Sequence, residues 1–143
     1  NIFIFSIALL IALLDQITKF LIKSNFQLNQ SISIINHILH LTYITNTGSA
    51  FGLFKGFNIF FILFSIVIII MVFYYLKKIK DNEKVLQFSV GLLLGGTIGN
   101  LIDRLFYGAV VDFIDFRVWP VFNIADSAVT ISVIFLIILL WKK

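Results

Sequence analysis

The sequence predicts an α-helical integral membrane protein: four transmembrane helices and a small β-rich extracytoplasmic part. Of its 143 residues, 60% are apolar and 13% charged, against about 45–50% and 25% in a soluble domain. Mean hydropathy is +1.06, and a globule this small cannot hide such an excess, because small domains bury only a limited fraction of their surface. The apolar residues also gather into four stretches, each close to the roughly 20 residues a helix needs to cross about 30 Å of hydrocarbon. An ordinary soluble domain is excluded.

The first stretch runs from Ile2 to Ile22 and is interrupted by Asp15, Gln16, Thr18 and Lys19. It lacks a basic leader and an A-x-A site, and Asp15 stands where a cleaved signal would be apolar, so it reads as a retained helix. Asn1 in place of Met sets the expectation that the native start, with a basic leader, lies upstream. Between 31 and 45 the chain is rich in Ile, Leu, Thr and Tyr with imperfect alternation, which predicts a pair of short strands. Ala50–Gly56 is apolar with glycines and suits the membrane surface. Phe57–Leu76 is the second span, Val85–Ile102 the glycine-rich third, and Ile124–Trp141 the fourth. With no repeat, low-complexity run or linker, residues 1–143 read as a single membrane-embedded domain.

Sidedness follows from the cations. Lys77, Lys78, Lys80 and Lys84 crowd the short link between spans two and three, and Lys142 and Lys143 follow span four. The opposite loops, roughly 24–56 and 103–123, carry Lys55, Arg104 and Arg117. The positive-inside bias then places both termini in the cytoplasm and both longer loops outside. A net charge of +4, scattered in this way, is no nucleic-acid footprint, which needs a basic face or stripe. The absence of cysteine removes disulfides, thiolate metal sites and Cys nucleophiles.

The acids are the informative residues. Asp81 and Glu83 fall in the lysine-rich link, whereas Asp15, Asp103, Asp112, Asp115 and Asp126 lie within spans or at their outer ends. Ionisable groups in a bilayer are costly and mark function by default. Asp15 and Lys19, at i and i+4, share a helix face and read first as an ion pair locking the helix to its neighbours. Gly91, Gly95 and Gly99 form a small-xxx-small stripe for close helix packing. Asn100 and Asp103, at i and i+3, lie on one face at the outer end of span three, with Arg104 free to pair with Asp103 or reach headgroup or substrate oxygens. Asp126 suits a helix N-terminus capped by Asn123, but a cap explains no second and third acid at the same depth. Asp112, between Val111 and Phe113, is expected to have a raised pKa, and a second carboxylate nearby raises it further. Asp112 with Asp126 is thus the favoured pair for sharing a proton, one activating water and the other protonating substrate. Asp103 with Asp126 is the rival pair.

His37 and His40, three apart in the expected strand, face opposite ways and lack a third ligand, so no metal is expected. Ser49 and Ser127 have no neighbouring Lys or His to act as base.

Five blocks carry a resemblance: Leu14-Asp15-Gln16-Ile17-Thr18-Lys19, Asn46-Thr47-Gly48-Ser49-Ala50-Phe51, the run from Gly95 through Asn100 to Asp103-Arg104, Val110-Val111-Asp112-Phe113, and Phe122-Asn123-Ile124-Ala125-Asp126. In this order, on four spans, they closely resemble the bacterial lipoprotein signal peptidases (signal peptidase II), four-helix aspartyl proteases of the plasma membrane. The resemblance implies that Asp112 and Asp126 are catalytic, that Asn46, Gly48, Asn100, Arg104 and Asn123 line the substrate pocket, and that Asp15, Lys19 and Asp103 support it. It implies a prolipoprotein substrate whose lipobox cysteine already carries diacylglycerol, cut just before that cysteine, near the outer leaflet where the acyl chains stay in membrane lipid. It implies no metal or cofactor, a cradle of strands in the second outer region, a lid around Phe54, and globomycin-type cyclic peptides in the same pocket. The competing reading is a small proton-coupled transporter or channel subunit, but a relay needs acids along the whole membrane depth.

Overall fold

The computed structural model describes residues 1–48 and 56–141. Ser49, Lys55, Lys142, Lys143 and the expected surface segment and lid around Phe54 lie outside the described residues. Helix α1 spans Ile2–Asn25, α2 Asn58–Tyr75, α3 Lys84–Tyr107 and α4 Ile124–Trp141. Each is long and apolar enough to cross a membrane, so the chain is a multi-pass membrane protein. Strands β1 (Ser31–Ile35), β2 (Leu39–Asn46) and β3 (Val110–Asp115) form an antiparallel sheet with β2 in the middle.

Helix α3 is the axis of the bundle: α1, α2 and α4 all pack on it, and it is the most buried of the four. Its glycines make this possible. A Cβ on Gly95 would stand 2.6 Å from the Ala8 carbonyl oxygen of α1, and one on Gly96 would stand 2.6 Å from the Ala125 carbonyl oxygen of α4. Gly91 and Gly99 continue the α1 contact at Ile7 and Asp15. One glycine stripe therefore seats α1, and the offset Gly96 seats α4 beside it. The buried positions of α1 answer with Ile4, Ala8, Asp15, Lys19 and Ile22, one helical stripe. The rest of α1 is apolar and exposed, which suits lipid.

The third helix runs five residues past Ile102, so Asp103 and Arg104 belong to the helix and not to a loop. Their charges do not end it, because both side chains turn inward to polar partners. The helix ends at Gly108, which adopts φ 72° and returns its N–H to the Arg104 carbonyl at 3.1 Å. A residue lacking Cβ takes that left-handed turn without steric cost.

The sheet joins the two longer connections, with two strands from the one between α1 and α2 and one from that between α3 and α4. His40 faces Asp115, Ile44 faces Asp112 and Asn46 faces Val110, with a bulge between Leu41 and Ile44. His37 is not in a strand. It sits in the β1–β2 turn at φ 62°, a region His tolerates better than most residues. Val111 and Phe113 pack with Ile22 in a small core that fastens β3 to α1. Period-two alternation then sends Asp112 to the opposite face, away from that core.

Candidate functional site

At the sheet end of the bundle, α1, α3, β2, β3 and the start of α4 deliver ten polar or glycine positions to one place. Lys19 is the hub on the α1 side. Its ammonium lies 2.7 Å from Asp15, 3.0 Å from Asp103 and 3.0 Å from the Asn100 amide oxygen. All four side chains are buried. Asp15 also accepts the Ala125 N–H at 2.9 Å, and Asp103 accepts the Val111 N–H at 3.0 Å. Those two bonds tie α1 to α4 and α3 to β3. The ion pair expected within α1 is present, but Asp103 pairs with Lys19 and not with Arg104. Consecutive helical residues diverge by about 100°, since a turn takes 3.6 residues, so neighbours in sequence point to different partners.

Arg104 is directed elsewhere. Its Nη2 donates to the Gly48 carbonyl at 2.7 Å, and its guanidinium carbon stands 5.4 Å from the Phe61 ring centroid. Its buried Nε has no hydrogen-bond acceptor among the described residues. Gly48 is fixed in turn by donating its N–H to the Asn46 side chain at 2.8 Å.

Asp112 and Asp126 meet through two asparagines. Asn123 Nδ2 donates to Asp112 at 2.8 Å and to the Asn100 amide oxygen at 3.0 Å, while Asn100 Nδ2 donates to Asp126 at 2.8 Å. Asn46 Nδ2 reaches the second oxygen of Asp112 at 3.3 Å. Asn123 and Asp126 also cap α4 reciprocally: the Asp126 N–H donates to the Asn123 side chain at 2.8 Å and the Asn123 N–H to Asp126 at 3.3 Å. This is the geometry of a capping box with aspartate at its third position. The cap and the paired acids are thus one structure.

Burial, foremost, and the negative charge of Asp126 together hold the Asp112 carboxyl at about 8 against its ordinary 3.8, with hydrogen bonds from Asn46 and Asn123 and the charge of Lys19 working the other way. The direction is the one expected from the sequence, but the cause is burial beside Asp126, since Val111 and Phe113 point to the other face of β3. Asp115, at the far end of β3, behaves oppositely. Burial acts to raise it, but the Thr42 hydroxyl at 2.6 Å, the Arg117 N–H at 2.8 Å and the Arg117 guanidinium hold it below its ordinary value.

The model of signal peptidase (SPase) II matches residues 7–142. The chain belongs to the signal peptidase II family. It is therefore a protease of the class that removes signal peptides. A lipoprotein signal peptidase of Halothermothrix orenii is 43% identical over 140 residues, covering 98% of this chain and 96% of that protein. One from Moorella thermoacetica is 43% identical over 136 residues, covering 95% and 89%. Two bacterial membrane enzyme structures obtained by the in meso method are 40% identical and superpose with TM-scores of 0.87 and 0.83. They cover 95% and 96% of this chain, which covers 85% and 91% of theirs.

In this signal peptidase II chain the site residues singled out in the sequence, Asp15, Lys19, Asn46, Gly48, Asn100, Asp103, Arg104, Asp112, Asn123 and Asp126, all fall in one connected polar network. Gln16 belongs to it as well, though it was given no role. Its Nε2 lies 3.0 Å from Asp103 and 3.1 Å from the Gly99 carbonyl. Its spacing of three from Lys19 was the available signal, since i and i+3 share a helix face. The cluster of Ser31, His40, Thr42, Asp115 and Arg117 was also missed. Cross-strand register brings it together, and nothing local in the sequence reports register. Among the described residues no three His, Cys, Asp or Glu are grouped to hold a metal ion.

Proposed function

We propose that this protein is an aspartyl endopeptidase that cuts diacylglyceryl-modified prolipoproteins just before the lipidated lipobox cysteine, with Asp112 and Asp126 as its acid–base pair. The observation that carries the reading is the burial of both carboxyls on one asparagine bridge, a setting that holds the Asp112 carboxyl well above its ordinary value. The names of the relatives from H. orenii and M. thermoacetica support the lipoprotein substrate.

In the proposed reaction the ionised Asp126 takes a proton from water as its oxygen attacks the scissile carbonyl carbon. Asp112 gives its proton to the carbonyl oxygen. The tetrahedral adduct then collapses: one of its hydroxyls returns a proton to Asp112 as the carbonyl re-forms, the C–N bond breaks, and the departing nitrogen of the lipidated cysteine takes the proton held by Asp126, so both carboxyls regain their starting states. Asn100 and Asn123 keep the two carboxyls apart yet coupled, and Lys19, Asp15 and Asp103 brace Asn100 from behind. Asn46, Gly48 and Arg104 would line the substrate, the Arg104 Nε, without an acceptor among the described residues, offering a donor to a substrate oxygen. Globomycin-type cyclic peptides are expected to bind there too, and no metal is required.

The decisive test is purified protein in lipid with a diacylglyceryl-modified precursor and with the unmodified one. Cutting only the modified precursor, before its cysteine, and equally well in EDTA, is the expected result. Loss of activity in EDTA, or equal cutting of both precursors, overturns the reading.

The proposed orientation puts both termini in the cytoplasm of a bacterial plasma membrane and the acids near its outer leaflet. A cysteine at Asn82 should then be shielded from an impermeant thiol reagent in intact cells, while one at Gln30 reacts. The reverse labelling pattern would invert the topology.

Arg104→Ala is expected to weaken inhibitor or substrate binding by about 2–5 kcal/mol, the usual cost of losing one partner of a buried charged contact. Calorimetry with an inhibitory cyclic peptide reads this directly. Unchanged affinity would remove Arg104 from the pocket.

A further inference from the structure

The end of the bundle away from the acids holds a cavity of about 790 Å³, within the roughly 300–1,000 Å³ typical of small-molecule sites. It opens where α2 and its 3-10 extension, Leu76–Lys78, part from the first turn of α3 and the last turns of α4. Met71, Leu86, Leu136 and Leu139 form apolar walls, and Lys78 and Lys84 stand at its rim. Neither lysine has a carboxylate partner within salt-bridge distance among the described residues. The rim acid Glu83 is engaged with backbone, accepting the Lys80 N–H at 2.9 Å. Lys78 is held against Tyr74 and Tyr75, at 4.9 and 4.8 Å from their ring centroids, and Lys84 lies 5.8 Å from that of Phe3.

We propose that this cavity binds an anionic phospholipid, with an acyl chain between α2 and α4 and its phosphate at Lys78 and Lys84. The argument is charge complementarity along one axis: an apolar slot in the wall of a membrane bundle, ending at two cations with no carboxylate partner among the described residues. Basic pockets between transmembrane helices take anionic headgroups for this reason. A signal peptide is the other apolar occupant to weigh. Its leading segment is positively charged, and the lysine rim repels it.

The test uses the full chain in detergent micelles and native mass spectrometry, titrating phosphatidylglycerol against phosphatidylcholine of the same acyl chains. Phosphatidylglycerol should bind about thirtyfold more tightly, the scale set by two lysines near a membrane surface. The double variant K78Q/K84Q should lose that preference, whereas K23Q, at the other end of the bundle, should keep it. Glycerophosphate without acyl chains should not compete. Equal binding of the two lipids, an equal loss in K23Q, competition by glycerophosphate, or displacement of the lipid by a synthetic signal peptide would each overturn the proposal.

Discussion

Asp112→Asn and Asp126→Asn are each expected to abolish cleavage, by about 10⁴-fold or more, the scale seen when one member of a catalytic unit is lost. Asparagine keeps the shape and can still hydrogen-bond to Asn123 or Asn100, so the protein should insert, fold and bind substrate. It cannot give or take the proton. The double variant should be no worse than either single one, because groups acting as a unit are strongly non-additive. The wild-type rate should fall as pH rises through about 8, where Asp112 loses its proton. Turnover measured with lipidated precursor reads all of this. Asp103→Asn separates the rival pairing. Asp103 faces Lys19, Gln16 and the Val111 N–H, so its replacement should lower stability more than turnover per folded molecule. An active Asp112→Asn beside a stable, substrate-binding but inactive Asp103→Asn would transfer the chemistry to Asp103 and Asp126.

Lys19→Met is expected to cause the largest loss of stability. The side chain is 1% exposed and neutralises two buried carboxylates at once. Removing one partner of such a buried set costs about 3–5 kcal/mol, because the remaining charges are left uncompensated. Asp15→Asn should cost less, since Lys19 keeps Asp103 and Asn100. Thermal unfolding in micelles compares the two, and a Lys19→Met protein as stable as wild type would mean that the carboxylates are neutralised by other means.

Much of the fold could be read from the sequence because a membrane simplifies the problem. Four apolar stretches of bilayer length admit few alternatives, and the fourth span begins and ends where the sequence places it. The third was set too short because Asp103 and Arg104 look like loop residues until their inward partners are known. Similarly, adjacency suggested an Asp103–Arg104 pair, whereas helical geometry gives Asp103 to Lys19 and Arg104 to Gly48. The raised Asp112 carboxyl was expected from its apolar neighbours in sequence, but strand alternation turns Val111 and Phe113 to the other face, and burial beside Asp126 is what raises it. The two-asparagine bridge was not, because it depends on where β3 lies against the start of α4. The Thr42–Asp115–Arg117 cluster was invisible for the same reason, since it rests on a strand register that includes a bulge.

The hub at Lys19 also imposes an order on how the chain is made. Helix α1 leaves the ribosome before α2, α3 and α4, carrying Asp15, Gln16 and Lys19. A charged residue at mid-helix costs about 2.5–3.5 kcal/mol to insert, and pairing Asp15 with Lys19 offsets only part of that. Asn100 and Asp103 arrive with α3, and the Ala125 N–H with α4, so the newborn first helix has no lasting home until most of the polypeptide has followed it. It must wait at the insertion machinery or beside lipid with a polar flank showing. The docking of α3 relieves α1 first, and the polar cluster is completed only when β3 and the start of α4 follow with Asp112, Asn123 and Asp126.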